Sequence, residues 1–193
     1  MITRLYAWTM RMAAHRRALP ALAVVSFAES SFFPIPPDAM LVPMVLADRA
    51  RAFRIATVCT IASVLGGLAG YAIGALLFEA IGRPIVEFYR AMTEFDRVAG
   101  LYDEYGLLAV VIGGLTPVPY KVVTIASGAF HFDLIAFTLA SAATRGLRFF
   151  AVAAILWYWG PSVRAILDRY TVPIAWGFLV LIVAGFAALR WVF

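Results

Sequence analysis

Apolar residues fill five long stretches of the chain, and polar residues interrupt some of these stretches. The stretches cover residues 18–47, 55–78, 105–130, 134–159 and 173–193. The second, fourth and fifth are long enough to cross a hydrocarbon core of about 30 Å as helices. The pattern therefore predicts transmembrane helices at 55–78, 134–159 and 173–193.

Proline breaks the first and third stretches. PIPPD interrupts one at 34–38, and PVPYK interrupts the other at 117–121. Because proline removes a backbone donor and clashes with the preceding turn, neither stretch can be one straight helix, and the arms are too short to span alone. We therefore expect two re-entrant hairpins, at 18–47 and 105–130. The expected breaks are Pro34, Pro36, Pro37, Pro117 and Pro119.

The two broken stretches share the pattern Pro-x-Pro-x-charge, which forms a weak internal repeat. Repeats of this kind are typical of transporter folds whose halves are inverted across the membrane. Irregular backbone at membrane depth persists only where protein or a water-filled cavity covers it. We therefore expect the two hairpin tips to meet inside the bundle.

Two further segments are amphipathic. Residues 1–17 combine basic side chains with the aromatic anchors Tyr6 and Trp8, which is typical of a helix lying in the membrane interface. Residues 79–104 carry many charges, with apolar residues at helical spacing, and predict a second interfacial helix. The predicted fold class is an all-α integral membrane protein, built as one membrane domain over residues 1–193 with an inverted repeat of two re-entrant hairpins.

Composition and charge support a membrane protein. Hydrophobic residues make up 64% of the chain and charged residues only 14%, which excludes a soluble or disordered domain. The net charge of +5 is spread over segments that flank apolar stretches, so we expect no nucleic-acid partner. Placing the basic residues at 4–17, 49–54 and 164–169 in the cytoplasm puts the N-terminus there. The first hairpin then enters from inside and the second from outside.

Acids at membrane depth tend to be functional. Glu29 lies in the first arm, where desolvation favours a neutral carboxyl group that can carry a proton. Asp38 follows Pro36-Pro37 at the start of the returning arm. We predict roles in transport and proton coupling for both. The alternatives are a Glu29 that only bonds nearby serines for folding, and an Asp38 that only caps its helix.

Three cations are predicted to bind substrate phosphate. Lys121 falls in the first turn after the second break, where a cation opposes the helix dipole and needs an anion: Asp38, Glu29 or a phosphate. Arg145 and Arg148 share one helix face, and guanidinium groups suit bidentate binding of phosphate. The alternative for the arginines is a structural ion pair with Glu29 or Asp38.

Other residues predict packing rather than chemistry. Gly66, Gly70 and Gly74 recur every four residues and indicate close helix contact. The histidines, His15 and His131, are isolated. The chain contains no zinc-protease, P-loop or serine-hydrolase motif, so we expect no catalytic residues, no metal and no cofactor.

The segment FAESSFFPIPPD resembles the Glu-then-Pro-x-Pro-acid segment of the DedA family, also called VTT-domain or SNARE-associated membrane proteins. A glycine-rich span, GGLTPVPYKVVTIASGAF and TRGLRF follow in the order of that family. The resemblance covers roughly residues 18–160 and is closest to the short YqaA-like branch. It implies the same two-hairpin inverted repeat.

The resemblance also implies lipid translocation in the bacterial inner membrane. Family members are associated with flipping undecaprenyl phosphate or phospholipids such as phosphatidylethanolamine, some with proton or sodium gradients. Glu29 and Asp38 match the essential membrane acids of the family, and Arg145 matches an arginine of its later span. One departure concerns the second hairpin, where the family's two arginines fall on Gly114 and Tyr120 of this chain. Lys121 is the cation near those two positions.

Together these observations predict a flippase or scramblase for phospholipid or polyprenyl-phosphate headgroups, with Asp38 facing Lys121 across the two tips. Homo-oligomerisation is left open. The alternatives are a small-solute or ion transporter of the same fold and a non-transporting structural membrane protein.

Overall fold

A computed structural model of the chain describes residues 17–33, 36–88, 92–116 and 120–192. Side chains are described as far as residue 163, with five exceptions between residues 79 and 95. Residues 1–16 of the predicted N-terminal interfacial helix lie outside these ranges, as do Pro34, Pro117 and Pro119.

Every regular element in the described ranges is helical. In chain order these are α1 (Ala18–Ser31), α2 (Asp38–Ala47), α3 (Ala52–Leu77), α4 (Arg83–Phe88), α5 (Met92–Leu115), α6 (Tyr120–Ala129) and α7 (Leu134–Val192). A 3₁₀ turn at Arg49–Arg51 leads into α3, and a π-helical turn at Phe78–Gly82 follows it.

Three of these helical segments are long and apolar enough to cross a membrane: Arg49–Leu77, Asp96–Leu115 and Leu134–Val163. Helices α1 and α2 are apolar but shorter. The prediction of an all-helical membrane protein is therefore confirmed.

Helix α5 differs from the boundary predicted at residues 104 and 105. It begins at Met92 and continues to Leu115, so residues 92–104 of the charged segment and the first arm of the second broken stretch form one helix. The expectation that this arm is too short to cross a membrane is therefore wrong. The physical reason is that the helical spacing of apolar residues in 92–104 continues beyond residue 104, and no proline interrupts it before Pro117.

Helix α7 also differs from expectation. Separate helices were predicted at 134–159 and 173–193, whereas α7 continues without a break through residues 160–172. Pro161 and Pro173 both lie inside this helix. Each proline removes one helical hydrogen bond and bends the helix more readily than it ends it, because helix-forming residues follow.

The break between α1 and α2 covers residues 32–37 and contains Pro36 and Pro37. The backbone amides of Phe32 and Phe33 both donate to the carbonyl of Ala28, which closes the end of α1. Pro37 then precedes the first turn of α2, and Asp38 brings a negative charge to the positive end of that helix.

A tight turn joins α6 to α7. His131 adopts a left-handed backbone with φ of 53°, and its amide and that of Phe132 donate to the carbonyls of Gly128 and Ser127. This is the Schellman pattern that ends many helices. The Asp133 side chain then accepts from the amide of Ala136 at 2.6 Å and caps α7.

Helix α3 is the centre of the bundle and packs against α1, α6 and α7. Gly66 lies against the backbone of Phe27 in α1, and Gly74 lies against the backbone of Ile125 in α6. Gly128 of α6 lies in turn against the carbonyl of Tyr71. The predicted close packing of the α3 glycines is confirmed at these contacts, where a Cβ atom has no room.

Two apolar clusters stabilise the bundle. The larger is built from α1, α2, α3 and α7 and includes Leu22, Leu41 and Phe149. The smaller contains Val110 of α5 and Phe137 of α7. Helices α3 and α7 contribute to both clusters, so they hold the two broken stretches in one body.

The glycine contacts predict different effects of the same substitution at two sites. Gly128→Ala should lower the free energy of unfolding by about 1–3 kcal/mol, because the new methyl group meets the Tyr71 carbonyl. Gly146→Ala is the matched control: its Cβ would lie 3.7 Å from the Thr60 methyl group, and the change should be neutral or stabilise by up to about 1 kcal/mol. Thermal unfolding in detergent measures both, and equal stability of the two variants would contradict the packing described.

Candidate functional site

Two arginines of α7 reach both arms of the first broken stretch. Arg145 Nη2 lies 2.9 Å from Glu29 Oε2, on α1 before the break. Arg148 Nη2 lies 2.5 Å from Asp38 Oδ2, on α2 after the break. Because residues three apart share a helix face, one face of α7 pairs with acids on each side of the proline break.

Arg145 is wholly enclosed, with 0% of its side chain exposed. Its Nε donates to Ser63 Oγ of α3 at 2.7 Å. The guanidinium carbon lies 4.8 Å from the ring centre of Tyr120 and 4.7 Å from that of Phe149, within the range of a cation–π contact. The charge is therefore held by an acid, a hydroxyl group and two aromatic rings.

Glu29 has 15% of its side chain exposed, and its carboxylate accepts from Arg145 at 2.9 Å. Among the nearby serines, Ser30 donates to its carboxylate at 3.2 Å. Ser26 and Ser31 instead donate to the carbonyls of Cys59 and Gly66. Of these three serines, only Ser30 therefore bonds the carboxylate of Glu29.

The Asp38–Arg148 pair is more open, with 27% and 28% of the two side chains exposed. Asp38 Oδ1 and Arg145 Nη1 are both buried without a hydrogen-bond partner in the described part of the chain. Buried polar atoms are rarely left unpaired, and those that are often mark a functional site. The site thus has an inner pair, Glu29–Arg145, whose arginine is wholly enclosed, and a more exposed outer pair, Asp38–Arg148.

Lys121 is half-buried in the first turn of α6. Its ammonium group forms no ion pair or hydrogen bond with the residues that the structure describes. The expected contact between Asp38 and Lys121 is therefore wrong: Arg148 reaches Asp38 from α7 and takes the carboxylate. Lys121 remains a cation without an anion in these ranges.

Hydroxyl groups connect the second broken stretch to this site. Thr124 of α6 donates to the Ser30 carbonyl of α1 at 3.0 Å. The Tyr120 hydroxyl donates to Ser141 Oγ of α7 at 2.5 Å. The start of α6 therefore touches both the helix that carries Glu29 and the helix that carries the arginines.

Three residues around Arg145 were not predicted as members of the site: Ser63, Tyr120 and Phe149. Ser63 had a usable signal, since it is a polar residue in a clean apolar span. Tyr120 stood out only as the position of a family arginine, and nothing marked its ring as a partner of Arg145. Phe149 had no signal, because rings at helical spacing usually serve the core. Among the described residues, no three His, Cys, Asp or Glu side chains come together in a way that would hold a metal.

A search against family models matches residues 33–158 to the VTT domain. The chain belongs to the VTT-domain family, also known as the DedA family. It is 34% identical over 186 residues to an uncharacterized protein of Haemophilus influenzae, covering 96% of each chain. It is 31% identical over 186 residues to an uncharacterized protein of Histophilus somni, covering 96% of this chain and 97% of the relative. No solved structure matches.

Membership of the VTT-domain family and the three apolar helices place this chain among membrane proteins. The family is a transporter-type family, which indicates a transporter-like role for this chain.

Removing either member of the inner pair should destabilise the protein, but by different amounts. Glu29→Leu should lower the free energy of unfolding by about 3–5 kcal/mol, because it leaves the sealed Arg145 charged without an anion. Arg145→Met should cost less, since the carboxyl group left behind can take up a proton whereas a guanidinium cannot lose one. Thermal unfolding in detergent compares the two.

The double variant Glu29→Leu/Arg145→Met should recover much of the loss, because no buried charge remains. Asp38→Leu is the control at the outer pair, where the loss should be about 1 kcal/mol. A double variant no more stable than Glu29→Leu alone would show that the inner pair is not the source of the effect.

Proposed function

We propose that this chain is a lipid flippase or scramblase that moves phospholipid or polyprenyl-phosphate headgroups across the bacterial inner membrane. The observation that carries the proposal is the set of five charged residues beside the two breaks: Glu29, Asp38, Lys121, Arg145 and Arg148. Two acids and three cations leave one excess positive charge, which suits an anionic phosphate.

In this proposal the broken stretches are re-entrant hairpins related by an inverted repeat, with the N-terminus in the cytoplasm. The headgroup passes through a polar route between the two tips, while the acyl chains stay in lipid. Irregular backbone at the tips is then covered by protein or by the water of that route.

Phosphate first meets the accessible cations. Lys121 has no anion of its own in the described residues, and Arg148 is 28% exposed. Phosphate oxygens accept from a guanidinium group in the same bidentate way as a carboxylate, so phosphate and Asp38 compete for Arg148. Arg145 joins the phosphate site only after Glu29 releases it.

Proton or sodium binding supplies the release. A proton on Glu29 or Asp38 removes the charge that holds the paired arginine, and a sodium ion at the carboxylate weakens the same attraction. Each acid thus binds a proton or a sodium ion at the same time as its arginine partner leaves it and binds phosphate. This gives Glu29 and Asp38 their proposed roles in coupling.

Reconstituted proteoliposomes test this function. Labelled phosphatidylethanolamine and a labelled polyprenyl phosphate are followed in parallel, with and without a pH gradient. Wild-type protein should move at least one of them, and Glu29→Gln and Lys121→Ala should lower the rate at least about tenfold, the change expected when one contact worth about 1.4 kcal/mol is lost. The rate should respond to the gradient.

Arg54→Ala is the matched control, since Arg54 is an exposed cation at the start of α3, away from both breaks. It should transport as the wild type does. Folded protein that moves neither lipid would contradict the proposal and favour a small-solute or ion transporter. Lipid movement that survives both site variants would show that these residues do not carry it.

A further inference from the structure

Tyr120 is the first residue of α6 and directly follows the second proline break. Only 1% of it is exposed, although it stands beside the half-buried Lys121. Its ring centre lies 4.8 Å from the guanidinium carbon of Arg145. Tyr120 therefore links the second break to the arginine that pairs with Glu29 in the first stretch.

The Tyr120 ring is itself held from two sides. Its hydroxyl donates to Ser141 Oγ at 2.5 Å, and Ser141 lies four residues before Arg145 on α7, on the same helix face. On the α3 side, a Cβ atom at Gly67 would sit 3.6 Å from the ring, in ordinary van der Waals contact. A ring fixed in this way presents one geometry to the guanidinium group.

Arg145 needs such support because its hydrogen bonds do not use all of its donors. Nε bonds Ser63 and Nη2 bonds Glu29, whereas Nη1 is buried without a partner in the described residues. The aromatic faces of Tyr120 and Phe149 are the remaining attraction on the charge. Loss of the Tyr120 face would let the guanidinium turn away from Glu29.

We propose that Tyr120 is a positioning residue that holds Arg145 against Glu29 and so couples the second break to the acid of the first. The role of Tyr120 in transport rests on the proposed function. In that function, Tyr120 links phosphate binding next to Lys121 to the pairing of Glu29 with Arg145. A displacement of the start of α6 by phosphate would move the ring and loosen the Glu29–Arg145 pair.

Carbodiimide labelling of purified protein tests the contact without any transport. Dicyclohexylcarbodiimide reacts with carboxyl groups in apolar surroundings, and Arg145 shields the carboxyl group of Glu29 while the two are bonded, so Glu29 should react slowly. Tyr120→Leu should raise the labelling of Glu29 roughly fivefold at constant pH, the change expected from losing a cation–π contact. Mass spectrometry of the digested protein reports each carboxyl group separately.

Asp38 is the internal control, because its partner Arg148 does not depend on Tyr120. The guanidinium carbon of Arg148 lies 5.9 Å from the ring centre of Phe149, and Arg148 makes no ring contact with Tyr120 among the described residues. A general loosening of the fold would raise labelling at Asp38 as well as Glu29, whereas a positioning role raises it at Glu29 alone. Tyr120→Phe and Ser141→Ala keep the ring but remove its bond from the Tyr120 hydroxyl to Ser141, so they should raise the labelling of Glu29 less than Tyr120→Leu does. Tyr120→Met is a second variant without a ring, whose flexible side chain can fill the space in a different way. It should raise the labelling of Glu29 as Tyr120→Leu does, and it replaces Tyr120→Leu in the test if the leucine variant folds poorly.

Equal Glu29 labelling in wild type and Tyr120→Met would overturn the proposal, and so would a parallel rise at Asp38. The labelling result is independent of the lipid assay. A selective rise at Glu29 in a protein that moves neither lipid would keep the positioning role and reject the flippase. Lipid transport with no selective rise in Glu29 labelling would keep the flippase and reject the positioning role of Tyr120.

Discussion

The pairing of Arg145 with Glu29 is the constraint on which the rest of the bundle depends. A guanidinium group with no exposed surface is strongly unfavourable in an apolar interior unless an anion and hydrogen-bond acceptors surround it. Here the anion comes from α1, the acceptor Ser63 from α3 and the aromatic faces from α6 and α7. Four helices must therefore meet at one point before the charge is stabilised, which ties the two broken stretches together.

Close backbone approach makes that meeting physically feasible. Serine and threonine side chains are short, so they bridge two helices only where glycine lets the backbones come near. Gly70 lies against Thr124, and the same Thr124 donates to the Ser30 carbonyl at 3.0 Å. The glycines of α3 thus bring the polar groups of α1 and α6 within reach. The same glycine contacts that pack the helices therefore also allow the hydrogen bonds between them.

Much of this arrangement could be predicted from the sequence, because it depends on local pattern. Proline marks the break before Asp38, and charged residues in apolar runs mark the candidate site. Ion pairs of the two arginines with Glu29 or Asp38 were the alternative to phosphate binding, and the structure contains them. Which arginine pairs with which acid could not be predicted, since Glu29 and Arg145 are 116 positions apart. Asp38 was expected to face Lys121 and instead pairs with Arg148. Tyr120 stands where the resemblance places a family arginine, but nothing local predicted that its ring would support a cation on another helix.

The difference in exposure between the two pairs has a consequence for coupling. If phosphate and a carboxylate compete for one guanidinium, protonation of the acid raises phosphate affinity by the same factor by which phosphate raises proton affinity. At the outer pair this exchange needs little rearrangement, because 28% of Arg148 is already exposed. At the inner pair it requires Tyr120 and Glu29 to move together around a wholly enclosed arginine. Under the proposed function, the outer pair can therefore receive a headgroup while the inner pair keeps the bundle assembled, and only release of the inner pair would let the second break move relative to the first.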